Sequence, residues 1–234
     1  MTETVKNKSA VDAMFKAGAH FGYTRSRRHP TVKPYIWGAK NRIEIFNLEA
    51  TQESLEKAKK FVKGVAQAGK TILFVGGKKE AQDSVRAGAE SIEMPNVPGR
   101  WIGGTLTNFG HIRKQVTIYE DLIAKREKGE FGKYTKKERL LLDRKIEKME
   151  KKFLGLLPMK DLPGAVFVVD SEREHIAVSE ARIGGIPVVS LSGSDCNLKD
   201  VDYAIPGNDS SLSSITFFVN EIVSAYTEGK SVKV

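Results

Sequence analysis

TILFVGGKKEAQDSVRAGA, residues 71–89, reads as a strand, a tight turn and a helix in direct succession. Thr71–Val75 is apolar and rich in β-branched side chains, with Gly69 before it and Gly76 after it. Such a run predicts a strand buried on both faces. Gly76-Gly77-Lys78-Lys79 turns the chain into a helix from about Glu80 to Ala89. The alternation returns downstream: Ala165–Val169 as strand, Glu174–Ile183 as helix, Pro187–Leu191 as strand, Tyr203–Ile205 as a short strand, and Ser213–Tyr226 as a closing helix. Upstream, Leu48–Ala68 places Leu55, Ala58, Phe61, Val62 and Val65 on one helical face, with Asn47 as its cap and Gly69 as its end. The expected class is α/β: a doubly wound, mainly parallel sheet of the Rossmann or flavodoxin kind.

The middle of the chain interrupts that rhythm. Ile112, Val116, Tyr119 and Ile123 recur at heptad spacing, and so do Leu142, Ile146, Met149, Phe153 and Leu156. Gly129 and Gly132 turn the chain between them, and Thr135 with Glu138 predicts a capping box at the second helix. An antiparallel coiled-coil hairpin is therefore expected over residues 110–157, inserted in an α/β domain of residues 43–109 and 158–234. Residues 1–42 stand before it, with a helix from about Val11 to Ala19 and Ser9 as its cap.

That N-terminal region contains HFGYTRSRRHPTVKPYIWGAKNR, residues 20–42, without a single Asp or Glu. Arg25, Arg27, Arg28, Lys33, Lys40 and Arg42 alternate with Phe21, Tyr23, Tyr35 and Trp37, while Pro30 and Pro34 keep the backbone out of regular helix. Cations pair with phosphates, and flat aromatic or Arg side chains stack on unpaired bases, so this strap suits folded RNA. Tyr23, Tyr35 and Trp37 either stack on that RNA or pin the strap to the core. The chain carries 38 Lys+Arg against 29 Asp+Glu, and the excess is uneven. Residues 1–42 hold 9 basic and 2 acidic groups and residues 111–152 hold 14 and 8, whereas residues 153–234 hold 6 and 11. A polyanion on one side of the molecule accounts for such asymmetry. Neither basic segment has an apolar face wide enough for an interfacial helix, so no membrane partner is expected.

Other chemistry is sparse. The N-terminus has neither a signal core nor an Arg-rich transit helix, and Cys196 is the only cysteine, which points to a cytoplasmic protein without disulfides. His20, His29, His111 and His175 have no partners at zinc-ligand spacing. His20 reads as a packed or hydrogen-bonding histidine, and His175 as a helix start or as half of a carboxylate–histidine pair. No nucleophile elbow or HExxH motif is present. The Gly76-Gly77-Lys78 turn lies where doubly wound folds hold phosphates, but it also serves as a tight strand-to-helix turn. In PNVPGRWIGGTLTNF, residues 95–109, Arg100 beside Trp101 is either a cation–π anchor for a loop or a base-stacking element.

Several stretches in order resemble the bacterial ribosomal protein two family of the small (30S) subunit. They are AMFKAGAHFGY (13–23), KPYIWGAKNRIEIFNLEAT (33–51), FVGGKKEAQ (74–82), RWIGGTLTNF (100–109), TKKE (135–138), PGAVFVVDSEREHIAVSEARIGGIPVV (163–189) and VDYAIPGNDSS (201–211). The hairpin is similar to that of the bacterial or organellar branch. The resemblance implies a non-enzymatic component of the small ribosomal subunit that binds 16S ribosomal RNA near the junction of head and body, joins late in assembly, and helps to seat the messenger-capturing small-subunit protein one. Its partners would be that RNA and neighbouring ribosomal proteins, with no cofactor, metal or small-molecule substrate. RNA contact is expected at Arg25, Arg27, Arg28, Lys33, Tyr35, Trp37, Lys40 and Arg42, and secondarily at Lys78, Arg100, Trp101 and Asn108 and at hairpin lysines. Two stretches depart from the family pattern. Arg28-His29 stands where many members have Trp-Asn, and SGSDCNL (192–198) replaces a Thr-Asn-x-Asp-Pro turn. The rival readings are a doubly wound enzyme holding a nucleotide phosphate on the Gly76-Gly77-Lys78 turn, and a free-standing scaffold that works through its coiled coil.

Overall fold

A computed structural model describes residues 10–231. Residues 10–16 form helix α1; the cap expected at Ser9 lies outside the described residues. Five strands make the main sheet: β4 (Ile72–Val75), β5 (Asn96–Val97), β6 (Ala165–Val169), β7 (Val188–Ser192) and β8 (Tyr203–Pro206). All its pairings are parallel, in the order β5-β4-β6-β7-β8. Numbered within this sheet alone, the order is 2-1-3-4-5, a doubly wound topology whose direction reverses between β4 and β6.

Successive side chains on these strands enter opposite cores. Ile72, Phe74, Phe167, Val169, Leu191 and Ile205 face helices α2 (Leu48–Gln67), α3 (Lys79–Ser91) and α7 (Leu212–Ser231). Leu73, Val75, Val166, Val168 and Val188 face α6 (His175–Ile183) and the helical hairpin of α4 (Phe109–Glu127) and α5 (Lys136–Phe153). Coverage on both faces is why these strands are continuous apolar runs in the sequence.

Local signals held where they were local. The Asn47 side chain accepts hydrogen bonds from the N–H groups of Glu49 and Ala50, and Thr135 with Glu138 closes the capping box that starts α5. Ile112, Val116 and Tyr119 of α4 are buried with Ile146, Met149 and Phe153 of α5 in one core. Arg126 pairs with Asp143 at 3.6 Å while Glu150 acts on Tyr119, so the two helices run antiparallel.

The strap is more regular than its prolines suggested. β1 (Phe21–Thr24), β2 (Ile36–Lys40) and β3 (Ile43–Phe46) form a second, antiparallel sheet in the order β1-β3-β2. Two 3-10 turns, Arg25–Arg27 and Pro30–Tyr35, connect β1 to β2. Pro30 sits at the start of its turn, where a missing N–H costs nothing. Asn41 and Arg42, with φ of 52° and 67°, make the two-residue connection between β2 and β3. Positive φ at both positions suits the right-handed twist of a tight hairpin.

Candidate nucleic-acid interface

The strap is docked at the C-terminal edge of the parallel sheet by groups distant in sequence. Tyr23 N–H donates to Ser194 Oγ at 2.8 Å, and His29 N–H donates to the Ser194 carbonyl at 2.8 Å. Leu198 N–H donates to Thr31 Oγ1 at 3.1 Å, and Tyr23 Oη shares a 2.6 Å hydrogen bond with Ser210 Oγ. Val32 is fully buried beneath the second 3-10 turn. The SGSDCNL stretch, which departs from the family pattern, is thus the dock for the strap. His20 is buried, stacked on Phe15 (4.4 Å) and tilted against Phe21 (4.0 Å), and burial lowers its pKa. It is a packed histidine. His175 Nδ1 lies 3.1 Å from the Glu172 carbonyl at a helix start.

Docking consumes few of the cations. Arg27 lies 4.4 Å above the Tyr23 ring and 3.4 Å from Asp195. Arg28 pairs at 2.8 Å with Glu44, whose other oxygen is buried without a hydrogen-bond partner. Arg25, Lys33, Lys40 and Arg42 are exposed, and among the described residues none has an ion-pair partner. Trp37 is 80% exposed on β2, and Tyr35 is half-buried. The strap therefore presents four unmatched cations and an open indole face on a fixed framework.

Lys78 and Trp101, unlike the strap cations, both turn inward. Lys78 is 8% exposed, and its ammonium lies 2.7 Å from Asp170, 2.8 Å from Asp209 and 3.3 Å from Tyr23 Oη. Burial opposes its charge, but Asp209 and Asp170 outweigh that and hold the ammonium above the usual lysine range. Burial also pushes Asp209 up to about 6, against the pull of Lys78, since more than one carboxylate shares the one ammonium. Asp170 follows β6 directly with φ of 69°, a left-handed conformation that Asp tolerates better than most residues. Cys196 donates towards Asp170 at 3.6 Å, and burial pushes its thiol up to about 12. Asp170, Cys196 and Asp209 have the spacing of metal ligands, but Lys78 already supplies the positive charge among them.

The same geometry removes the phosphate reading of the Gly76-Gly77-Lys78 turn. A Cβ on Gly76 would come within 2.8 Å of Val85, and one on Gly77 would collide with Glu174. The Gly77 N–H is taken by that Glu174 carboxylate at 3.2 Å. These glycines permit close packing. A phosphate at this crevice would meet Glu174, Asp170 and Asp209 beside a lysine that is already neutralised.

Trp101, 7% exposed, donates from Nε1 to Glu180 at 3.0 Å. The Glu180 carboxylate also accepts from the N–H groups of Gly104 (2.8 Å), Leu106 (3.0 Å) and Thr107 (3.2 Å) and from the Thr107 hydroxyl (3.2 Å). Burial raises its pKa, but these hydrogen bonds outweigh burial and hold it below the usual carboxylate range. Trp101 is therefore an anchor, and the loop folds around one carboxylate that no local motif announced. Arg100 and Asn108 remain exposed on that loop.

Known proteins resolve what such a strap belongs to. The profile of the family described as ribosomal protein S2 matches residues 14–229. The chain belongs to the ribosomal protein S2 family. Among its relatives, each described as small ribosomal subunit protein uS2, the one from Roseiflexus sp. (strain RS-1) is 41% identical over 231 residues, covering 99% of this chain and 88% of the relative. That from Geotalea uraniireducens (strain Rf4) is 43% identical over 216 residues, covering 92% and 84%. That from Chloroflexus aggregans (strain MD-66 / DSM 9485) is 38% identical over 229 residues, covering 98% and 96%. As an S2 family member the chain is a structural protein of the small ribosomal subunit and not an enzyme. Among the described residues no helix is long and apolar enough to cross a membrane. The doubly wound topology, shared with many nucleotide-binding enzymes, serves in this S2 chain as a scaffold.

Proposed function

We propose that the chain binds 16S ribosomal RNA through its strap, as a cytoplasmic component of the small subunit. The observation that carries this reading is the set of unmatched cations on a rigid mount: Arg25, Lys33, Lys40 and Arg42, with Trp37 open between them. The cations neutralise backbone phosphates and set position, and Trp37 stacks on an unpaired base. Arg27 and Arg28 hold the strap's shape, with their remaining hydrogen-bond donors turned to RNA. Arg100 and Asn108 offer a smaller contact on the 95–109 loop, and lysines of the hairpin over residues 110–157 offer another. Late entry into the subunit and a seat for the messenger-capturing protein one follow from the family resemblance.

Sedimentation of a lysate through a sucrose gradient, with and without RNase, tests the reading. The protein should travel with small subunits and leave that position after RNase. A protein found only at the top of the gradient contradicts it.

A further inference from the structure

The lysines of α2 fall into two groups. Those turned to α7 are matched: Lys59 with Glu221 at 2.7 Å, and Lys63 with Glu228 at 2.6 Å. Lys57 and Lys60, on the other flank, are exposed and have no ion-pair partner among the described residues, and the same holds for Lys70 and Lys199. These four border two hollows of about 660 and 850 Å³ that share Lys57 and Tyr203, and so form one furrow beside β8, the edge strand of the parallel sheet. Tyr35 of the strap lines one hollow; Phe61 and Tyr203, stacked 4.3 Å apart, line the other. The single carboxylate in the lining among the described residues, Asp202, already accepts a hydrogen bond from Val188 N–H at 2.8 Å.

We propose that this furrow is a second RNA track, continuous with the strap, in which Lys57, Lys60, Lys70 and Lys199 take backbone phosphates while Tyr35 and Tyr203 lie against bases or riboses. The proposal rests on the strap's contact with ribosomal RNA and extends it along the flank of the sheet. α7 supplies carboxylates to Lys59 and Lys63, whereas among the described residues no carboxylate pairs with Lys57 or Lys60, which leaves a site complementary to a polyanion. Lysines act as point charges without a guanidinium's fork, and so suit phosphates met without regard to sequence. RNA is favoured over an acidic protein segment because the strap forms one wall, so a single polyanion can cover both surfaces.

The test compares full-length wild type, K57A/K60A/K70A and the strap variant R25A/K40A/R42A. Each is titrated with a 16S ribosomal RNA transcript between 50 and 200 mM salt, and circular dichroism checks folding. Three lost phosphate contacts should lower the salt slope by about three and shrink the affinity change over that range about 40-fold. Wild-type affinity and slope in the furrow variant, with the strap variant impaired, would overturn the furrow and leave the strap standing. Wild-type behaviour in both variants would overturn the ribosomal RNA reading itself. A furrow variant that binds the transcript normally but is lost from sedimented small subunits would assign the furrow to a protein partner and reject RNA there.

Discussion

The strap and the 95–109 loop begin from the same ingredients and end in opposite places. Each sets Arg beside an aromatic ring in a glycine- and proline-containing stretch without acidic residues. In the loop, Glu180 gathers the Trp101 indole, three backbone N–H groups and a hydroxyl, and the aromatic is buried. In the strap, among the described residues, only Asp195 and Glu44 reach the cations, and Trp37 stays open to solvent. An Arg–aromatic motif is an anchor where the fold wraps it around a buried carboxylate and stays open to solvent where it does not. That carboxylate is remote in sequence, 79 residues from Trp101, so the motif alone left both outcomes open.

The largest expected effect lies on the anchored side. Glu180→Ala would leave the Trp101 indole N–H and the N–H groups of Gly104, Leu106 and Thr107 without their acceptor, costing about 3–5 kcal/mol in urea unfolding. Trp101→Ala should cost a similar amount through lost packing, about 3–5 kcal/mol. A loss below about 1 kcal/mol for either would break the contrast. On the open side, Trp37→Ala should change stability by no more than about 0.5 kcal/mol while weakening 16S ribosomal RNA binding by about 1–3 kcal/mol. An RNA affinity unchanged by that substitution would mean that the exposed indole serves something else.

Two buried carboxylates sharpen the comparison through pH. Glu180 is held low, so its contribution is complete above its unfolded value of about 4.5 and is lost as pH falls through its folded value. Asp209 is raised to about 6, so the folded state keeps that proton to higher pH, and relief comes as pH falls through about 6. The stability of wild type relative to D209N should therefore rise from pH 7 to pH 4, whereas relative to E180Q it should decline below about pH 4.5. Parallel pH dependences in the two comparisons would show that Lys78 shares its charge differently from the arrangement described.

The parts of the fold legible in the sequence are those whose cause is local or continuous. TILFV and AVFVV read as strands because both faces are covered, and Asn47 and Thr135 read as caps because their partners lie within three residues. Of the antiparallel sheet only β3 is legible, because Ile43-Glu44-Ile45-Phe46 alternates as a short strand. β1 and β2 contain Gly22, Gly38 and Lys40, are only partly covered, and find their register on β3 through pairs such as Phe21 with Ile45. β5 is two residues long and carries no periodicity. Within the interface, charge density marks Arg25, Arg27, Arg28, Lys33, Lys40 and Arg42 alike; that Asp195 and Glu44 engage Arg27 and Arg28 and leave the other four open depends on the fold. The inward turn of Lys78 depended on Asp209, 131 residues downstream, which no local pattern ties to it.

The decisive measurement is the incorporation of strap and loop variants into small subunits in cells. R25A/K40A/R42A removes only exposed cations and spares Arg28, whose loss would strand the buried Glu44 carboxylate. The expected result is a folded protein with wild-type melting that is displaced from small subunits to the top of a sucrose gradient, while R100A/N108A remains largely on the particle. Full incorporation of R25A/K40A/R42A would contradict it and move the RNA contact away from the strap.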